Sequence, residues 1–564
     1  MYTSKWKLIW SFISAQRLLV GMALLAGIFY NLFTIMIPIS IGKFYEFAFG
    51  FSSHRLKAFS FIPYMDAADH TAFLLLFFCL VGLRFIFEYG NRYAIALVGE
   101  QFAKSFRERL FEAQLQIAMP VYDEKGIGKY LLRFSGDLKS IQNYIKNGVL
   151  RFVQDVLLLV IVFAVIAYMN MMLAVIIVGF IGLASLLLWW INKLLYKQSL
   201  ERRDRRSGML SFVSTRLRAI ASLKIFNKYT PENKRYRKRS EKLYRIGKKY
   251  AGTVALMQAS IPAITYGLLG SIMVYVLKSP ADENRIGGGS LLVVILLILG
   301  ILPVLRRTLR VSITWKLGSI SLKKLIAIFE LPKENELPFE SLDMGNRTIY
   351  FEDVQYSYAG STKPVFENIN MEIPPKTTTH IYGPTGSGKS TFVKLLLKTI
   401  APQKGNVLID GVMYNKLSEK TIRKNMAVVS NDYPLYGKDV YEAIVYSRNT
   451  DRKKRAAKLL AHLQRHEQIK DHLNLHDRIG DLGSNLNSGQ QKLLQYCRAL
   501  LTDKPILIVE EPIEYLSPKT ARLILELLSD SQHNKTIIIL TQASEFSIPF
   551  DKKYSLHSHL TIAT

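Results

Sequence analysis

Gly383-Pro384-Thr385-Gly386-Ser387-Gly388-Lys389-Ser390-Thr391 gathers glycines, a lysine and hydroxyls into one short stretch. Its spacing fits G-x-x-x-x-G-K-[ST], a loop that holds phosphate. A strand is predicted before it, over Thr379–Tyr382, and a helix after it, over Thr391–Leu397. Glycines at 383, 386 and 388 let the backbone curl so that its N–H groups converge on phosphate oxygens. The helix N-terminus adds the positive end of its dipole. Lys389 is placed to reach the β- and γ-phosphates, and the Ser390 hydroxyl to ligate Mg²⁺. A chance glycine-rich turn is the bland alternative, and a full match between strand and helix argues against it. The chemistry implied is binding of a nucleoside triphosphate with Mg²⁺.

The elements that carry this loop belong to a long chain. At 564 residues it exceeds one core, so at least two domains are expected. It is 49% hydrophobic yet has a formal net charge of +30. The apolar and basic residues fall in different stretches, which fits a membrane protein with basic cytosolic surfaces better than a soluble nucleic-acid binder. Cys79 and Cys497 are the only cysteines, far apart, so no disulfide framework follows and a reducing compartment suits the soluble half. No cleavage-site pattern follows MYTSKWKLIW, so no removable signal peptide is expected.

Apolar runs predict six membrane spans. Leu18–Gly42 is uncharged and long enough to cross a bilayer. A second run, Thr71–Gly99, is interrupted by Arg84, Glu88 and Arg92. Val156–Ile191 has no charge and reads as two spans turning at Tyr168-Met169-Asn170, while Ala251–Leu277 and Ile286–Leu305 complete the set. Between Lys193 and Lys249 stand about nineteen Lys and Arg against Glu201, Asp204, Glu232 and Glu241. The positive-inside rule then puts both termini and the two long basic loops, about 100–150 and 193–250, in the cytosol. Those loops are nearly free of Pro and Gly and are expected to continue the membrane helices. The run Lys234-Arg235-Tyr236-Arg237-Lys238-Arg239 reads as a solvated topogenic face near anionic lipid, not a nucleic-acid site.

Some charges near the bilayer invite two readings. Arg306, Arg307 and Arg310 fall at the cytosolic mouth of the last span, either as anchors or as groups that admit anionic cargo. Arg84 and Glu88 lie near mid-membrane at i,i+4 spacing. They either neutralise each other on one face or line a cavity.

After Leu331-Pro332-Lys333-Glu334-Asn335-Glu336-Leu337-Pro338 the pattern changes to short apolar strands alternating with helices. Val407–Ile409, Met426–Val429, Ile506–Val509 and Thr536–Leu540 predict a soluble α/β domain with a largely parallel sheet. The expected organisation is a membrane domain over 1–330, a linker over 331–345 and a nucleotide-binding domain over 346–564. No internal repeat or low-complexity tract is present.

Six spans with long basic loops, followed by a P-loop domain, resemble a half-transporter of the ATP-binding cassette (ABC) exporter family over nearly the whole chain. Gly126 to Asp137 is similar to the family's first intracellular loop, and Ser321 to Pro332 to its link into the cassette. The resemblance implies a fold with six α-helical transmembrane segments fused to a P-loop α/β nucleotide-binding domain. Tyr358 stands where the family's aromatic stacks on adenine, a core aromatic being the alternative. Arg478-Ile479-Gly480-Asp481-Leu482-Gly483 resembles the segment before the signature. Two cassettes of the family pair head to tail, each signature closing over the other chain's ATP.

Several positions depart from the pattern. The signature Leu-Ser-Gly-Gly-Gln is here Leu486-Asn487-Ser488-Gly489-Gln490, although Arg498-Ala499-Leu500 of the following helix fits. Asn487 and Ser488 add bulk where the backbone must approach phosphate closely. The Mg²⁺-orienting aspartate is Glu510, still an oxygen ligand for a hard cation. Glu511 keeps the carboxylate that orients or deprotonates the attacking water. The Mg²⁺-sensing glutamine is Asn431, the switch histidine is Gln542, and the aspartate of the loop after Glu511 is Ser517. Gln542 offers an amide but no positive charge, so stabilisation of the transition state is expected to fall.

The expected activity is ATP-driven export of an unidentified cargo by a dimer of half-transporters, homodimeric or heterodimeric, with slowed hydrolysis. An ATP-gated membrane switch with little turnover is the alternative. A membrane-tethered nucleic-acid ATPase draws only on the basic charge. A bacterial plasma membrane is the expected location.

Overall fold

The computed structural model describes residues 5–49, 70–125, 130, 133–278, 288–334, 342–358, 360–361, 363–445, 450–465, 472–531, 534–544, 548–557 and 559–563. The chain divides into two compact units, Met1–Gln114 with Gly128–Glu330, and Leu115–Ile127 with Leu331–Thr564. Most of the loop motif Gly126 to Leu132, the connection 279–287 and much of the linker, 335–341, lie outside the described residues.

Among the described residues, six helices of the first unit are long and apolar enough to cross a membrane. We label them α1 (Arg17–Phe49), α2 (His70–Leu115), α3 (Arg151–Met169), α4 (Met171–Arg218), α5 (Tyr229–Lys278) and α6 (Gly288–Phe329). The apolar runs set where these helices sit, but not where they end. Helix α4 continues from its apolar stretch through the basic residues to Arg218, for roughly 70 Å at 1.5 Å per residue. The predicted turn is confirmed at Asn170, which leaves the helical conformation at φ −161°. Its Oδ1 accepts the N–H groups of Met172 (2.9 Å) and Leu173 (3.1 Å), capping α4.

Apolar faces of these helices close around Ile166, Leu173, Ile177, Ile272, Val293 and Leu297. Two embedded polar groups, Gln154 and Asp155, find partners on other helices, as an apolar interior, where an unmet polar group is costly, favours. Gln154 of α3 donates to the Ala23 carbonyl (2.8 Å) and to Asn91 Oδ1 (2.9 Å), and Asn31 donates to its backbone carbonyl (2.9 Å). The next residue, Asp155, accepts from Arg307 at 2.7 and 3.1 Å. One of the three arginines at the mouth is thus an interhelical ion pair. Asp137, at the end of the loop motif, is buried and receives Arg133 (2.6 Å), Arg203 (2.6 Å) and Ser321 (2.8 Å).

The second unit is built on a ten-stranded sheet: β1 (Ile349–Tyr356), β2 (Phe366–Ile373), β3 (Thr378–Tyr382), β4 (Lys404–Ile409), β5 (Val412–Met413), β6 (Met426–Val429), β7 (Ile506–Glu510), β8 (Thr536–Thr541), β9 (Lys552–His557) and β10 (His559–Ala563). Their order is β5-β4-β1-β2-β10-β9-β3-β8-β7-β6. The run β9-β3-β8-β7-β6 is parallel, and β3, β7 and β8 are buried almost throughout, as a sheet covered on both faces requires. The remainder is less parallel than the sequence suggests: β1, β2, β4 and β5 pair antiparallel. Of these, β1 and β2 mix buried with exposed residues along their length, a pattern that separate short apolar runs do not reveal.

Leu115–Ile127, which begins at the last residue of α2, belongs to this second unit. Ala118 N–H bonds the Pro332 carbonyl (2.9 Å) and Glu334 N–H the Gln116 carbonyl (2.8 Å), so a short ladder holds the short helix Met119–Lys125 near the start of the linker.

Candidate nucleotide site

The end of β3 delivers the glycine loop directly into helix α7 (Lys389–Leu396). Gly388 caps α7 at φ 98°, a left-handed conformation. A Cβ there would lie 2.7 Å from Phe366 and Val365, so both backbone shape and space demand glycine. Pro384, Thr385 and Gly386 form an open rim, whereas Gly383, Ser387, Lys389 and Thr391 are buried. The buried Ser387 hydroxyl has no hydrogen-bond partner among the described residues. Buried polar atoms seldom stay unpaired, so this orphan fits a loop built to receive a polar guest.

Lys389 folds back on its own loop. Its ammonium bonds the carbonyls of Gly383 (2.7 Å) and Pro384 (3.3 Å) and lies 3.8 Å from Glu511 Oε1. Ser390 donates to Glu510 Oε1 at 2.6 Å across 120 residues of chain. The second oxygen of Glu510 accepts from Ser430, also at 2.6 Å. Ser390 and Glu510 therefore present adjoining oxygens to one point, as a hard cation prefers. No group of three or more His, Cys, Asp or Glu forms a metal cage among the described residues. Magnesium fits in the other manner, held by Ser390 and Glu510 together with phosphate oxygens, and when bound would neutralise phosphate charge.

Glu511 follows at the end of β7 with φ 48°, its N–H bonded to the Leu540 carbonyl at 2.8 Å. Burial raises its pKa above the ordinary carboxyl range, opposed by the Lys389 charge and reinforced by Glu514. A carboxyl raised this way is a better acceptor of a water proton than an exposed one. Asn431 turns to Glu514, donating at 3.1 Å. Gln542 follows β8 at an exposed position, and its backbone N–H favours the ionised form of Glu511. The hydroxyl of Tyr358 meets Thr391 Oγ1 at 3.0 Å, and the Lys394 ammonium stands 5.8 Å from its ring centre. Tyr358 is exposed, so it is not a core aromatic.

The signature residues stand at the start of helix α8 (Ser488–Leu501). Asn487 Oδ1 accepts Gln490 N–H (2.8 Å), and Gln490 Oε1 accepts Asn487 N–H (3.1 Å), a reciprocal capping box. Leu486 is buried while Asn487 and Ser488 are exposed. Gly489 packs so closely that a Cβ would lie 2.8 Å from the Tyr515 carbonyl. Ser517 caps helix α9 (Pro518–Ser531), accepting Thr520 N–H at 3.3 Å. In the first unit, Arg84 (3.7 Å) and Arg92 (2.6 Å) both pair with Glu88, and Arg84 also lies 5.7 Å from the Tyr30 ring centre. The predicted pair is thus a three-member ladder along α2.

Sequence reasoning missed Ser430 and Lys492. Ser430 immediately precedes Asn431, and only the folded sheet brings it to Glu510. Lys492 is fully buried, and burial pushes its pKa down to about 8 against the pull of Glu514, Glu510 and Glu511. A lysine beside Leu493 and Leu494 on a helix was the available signal.

Six apolar helices joined to a P-loop α/β unit define a membrane protein that handles nucleotides. The family model for the ABC transporter transmembrane region matches residues 20–302, and that for the ABC transporter domain matches 366–514. The chain belongs to the ABC transporters, as an exporter-type half-transporter. It is 28% identical to an ATP-dependent lipid A-core flippase of Nitrosococcus oceani over 81% of this chain and 76% of that one. The flippase of the same description from Salmonella typhimurium is 24% identical over 82% and 79%. A bacterial Atm1-family ABC exporter solved with ATP bound shares the fold, with a TM-score of 0.81 at 18% identity over 97% of this chain and 94% of that one.

Proposed function

We propose that this chain pairs with a second half-transporter to export an anionic amphiphile at the expense of ATP, and that it hydrolyses ATP slowly. The observation that carries this reading is the division within the nucleotide site. Binding groups converge: Lys389 on the loop, Ser390 against Glu510, and Glu511 beside the lysine. Around them, Asn431 is one methylene shorter than the glutamine of the family, and Gln542 is neutral where the family has a histidine that can carry charge.

The loop and Lys389 would bind the phosphates, Tyr358 would stack on adenine, and Glu511 would take the proton of the attacking water. Each donor missing from a preorganised site costs about 10²–10³ in rate, and such losses do not simply multiply. A membrane location supports the cargo class, since the Arg84–Glu88–Arg92 ladder carries excess positive charge within a span, where charges line cavities. The lipid A-core flippases that this chain resembles point to the same class. The basic loops favour cytosolic termini in a bacterial inner membrane.

The capping box favours a second reading, an ATP-gated switch, because it occupies the side chains of Asn487 and Gln490 locally. Reconstituted vesicles decide between them. ATP-dependent movement of a fluorescent anionic lipid, abolished by Glu511→Gln, is the expected result; movement that continues in that variant supports the switch and overturns the pump.

A further inference from the structure

Helix α8 grips the backbone on both sides of Glu511. Lys492 Nζ donates to the Glu510 carbonyl at 2.7 Å. One helical turn further on, Tyr496 Oη donates to the Pro512 carbonyl at 2.8 Å. Both side chains are fully buried. Between the gripped carbonyls Glu511 holds φ 48°, a conformation that costs a non-glycine residue energy and persists only where its surroundings impose it. Burying a lysine is expensive as well, and nothing in the apolar packing of α8 calls for one.

We propose that Lys492 and Tyr496 form a two-point clamp that positions Glu511 for water activation and ties its aim to helix α8. They are positioning residues, since neither is placed to touch nucleotide. Two hydrogen bonds from one rigid helix, one to the peptide that precedes Glu511 and one to the peptide that follows Pro512, fix both the position and the rotation of the short segment between them, as a single bond would not. The inference rests on Glu511 acting in hydrolysis. It adds that helix α8, capped by Asn487, and the Glu511 carboxylate just after β7 move as one body.

The test compares Lys492→Gln, Lys492→Met and Tyr496→Phe in the full-length protein in lipid. Glutamine keeps a donor and loses the charge, methionine loses both, and phenylalanine keeps the ring. Two readouts are taken: steady-state Mg-ATP kinetics, and hydrogen exchange of a peptide spanning residues 506–517. The clamp predicts a kcat about 10- to 100-fold lower for Lys492→Met and Tyr496→Phe, with KM for ATP changed less than about twofold. It also predicts faster exchange at Glu511 in both, and a substantial return of both signals in Lys492→Gln. Unchanged exchange at Glu511 in Lys492→Met and Tyr496→Phe would overturn the clamp. A rise in KM equal to any loss of kcat, or failure of Lys492→Gln to recover either signal, would overturn it too. Should the parent protein show no turnover, the proposed pump fails, while the exchange pattern still decides the clamp.

Discussion

Asn487 and Gln490 hold each other across the first turn of α8, each side chain accepting the other's backbone N–H at 2.8 and 3.1 Å. An N-cap of this type contributes about 1 kcal/mol to its helix. The substitution that departs from the family signature therefore has a local benefit at the position where phosphate approach is needed. Restoring the family residues with Asn487→Ser and Ser488→Gly is expected to raise Mg-ATP turnover several-fold. Serine also caps helices, so thermal stability should fall by less than about 1 kcal/mol. Steady-state ATPase assays with a melting curve check both halves.

The switch position gives a sharper expectation. Gln542→His supplies a group that can carry positive charge toward the γ-phosphate, and kcat is expected to rise by about tenfold or more. Affinity for ATP measured in the absence of hydrolysis should stay within about twofold, because Lys389 and the glycine loop carry binding. A change in affinity with no change in kcat would show that the residue at 542 does not act in the chemical step.

His380, buried in β3, sets a pH dependence of stability. Burial and then Lys553 push its pKa down to about 4 from 6.5, and its Nε2 lies 2.8 Å from Thr541 Oγ1. The folded state therefore keeps the ring neutral while the unfolded chain takes up a proton below about 6.5. Stability falls as pH drops from 6.5 toward 4 and this contribution then levels off, with a ceiling of about 3 kcal/mol. Comparing melts of the parent and His380→Gln across this window isolates the term; the variant should lose part of the slope.

In the membrane unit, Gln154 joins α1, α2 and α3 through its bonds to Ala23, Asn31 and Asn91. Gln154→Leu leaves the Asn91 amide without this partner in an apolar setting, at a cost of about 1–3 kcal/mol per orphaned group. Thermal unfolding in detergent should show a drop of that size. Thr34→Val removes a long 3.3 Å contact from Arg84 and a bond to the Tyr30 carbonyl within the same helix, and should show less, since that carbonyl lies in the backbone ladder of α1.

The features legible in the sequence were those whose physics is local. The phosphate loop must be contiguous, so Gly383 to Thr391 announces itself. Spans need unbroken apolar runs, and the Asn170 turn falls where such a run is too long for one crossing. Long-range pairings were not legible. Arg307 reads as an anchor or a cargo group until Asp155, 152 residues earlier, is found beside it. Ser430 and Lys492 reach Glu510 only through sheet order and helix packing. The antiparallel strands β1 and β2 escaped because half-exposed strands resemble loops in composition, and β4, legible as Val407–Ile409, did not show its antiparallel pairing.

Turnover of Mg-ATP by the purified protein in lipid, beside Lys389→Ala and Glu511→Gln, tests the central claim most directly. Slow hydrolysis at an intact binding site predicts tight ATP binding with a kcat at least tenfold below the enzyme median of about 10 s⁻¹, lost in both variants. A kcat at or above that median, or turnover that survives Lys389→Ala, would contradict it.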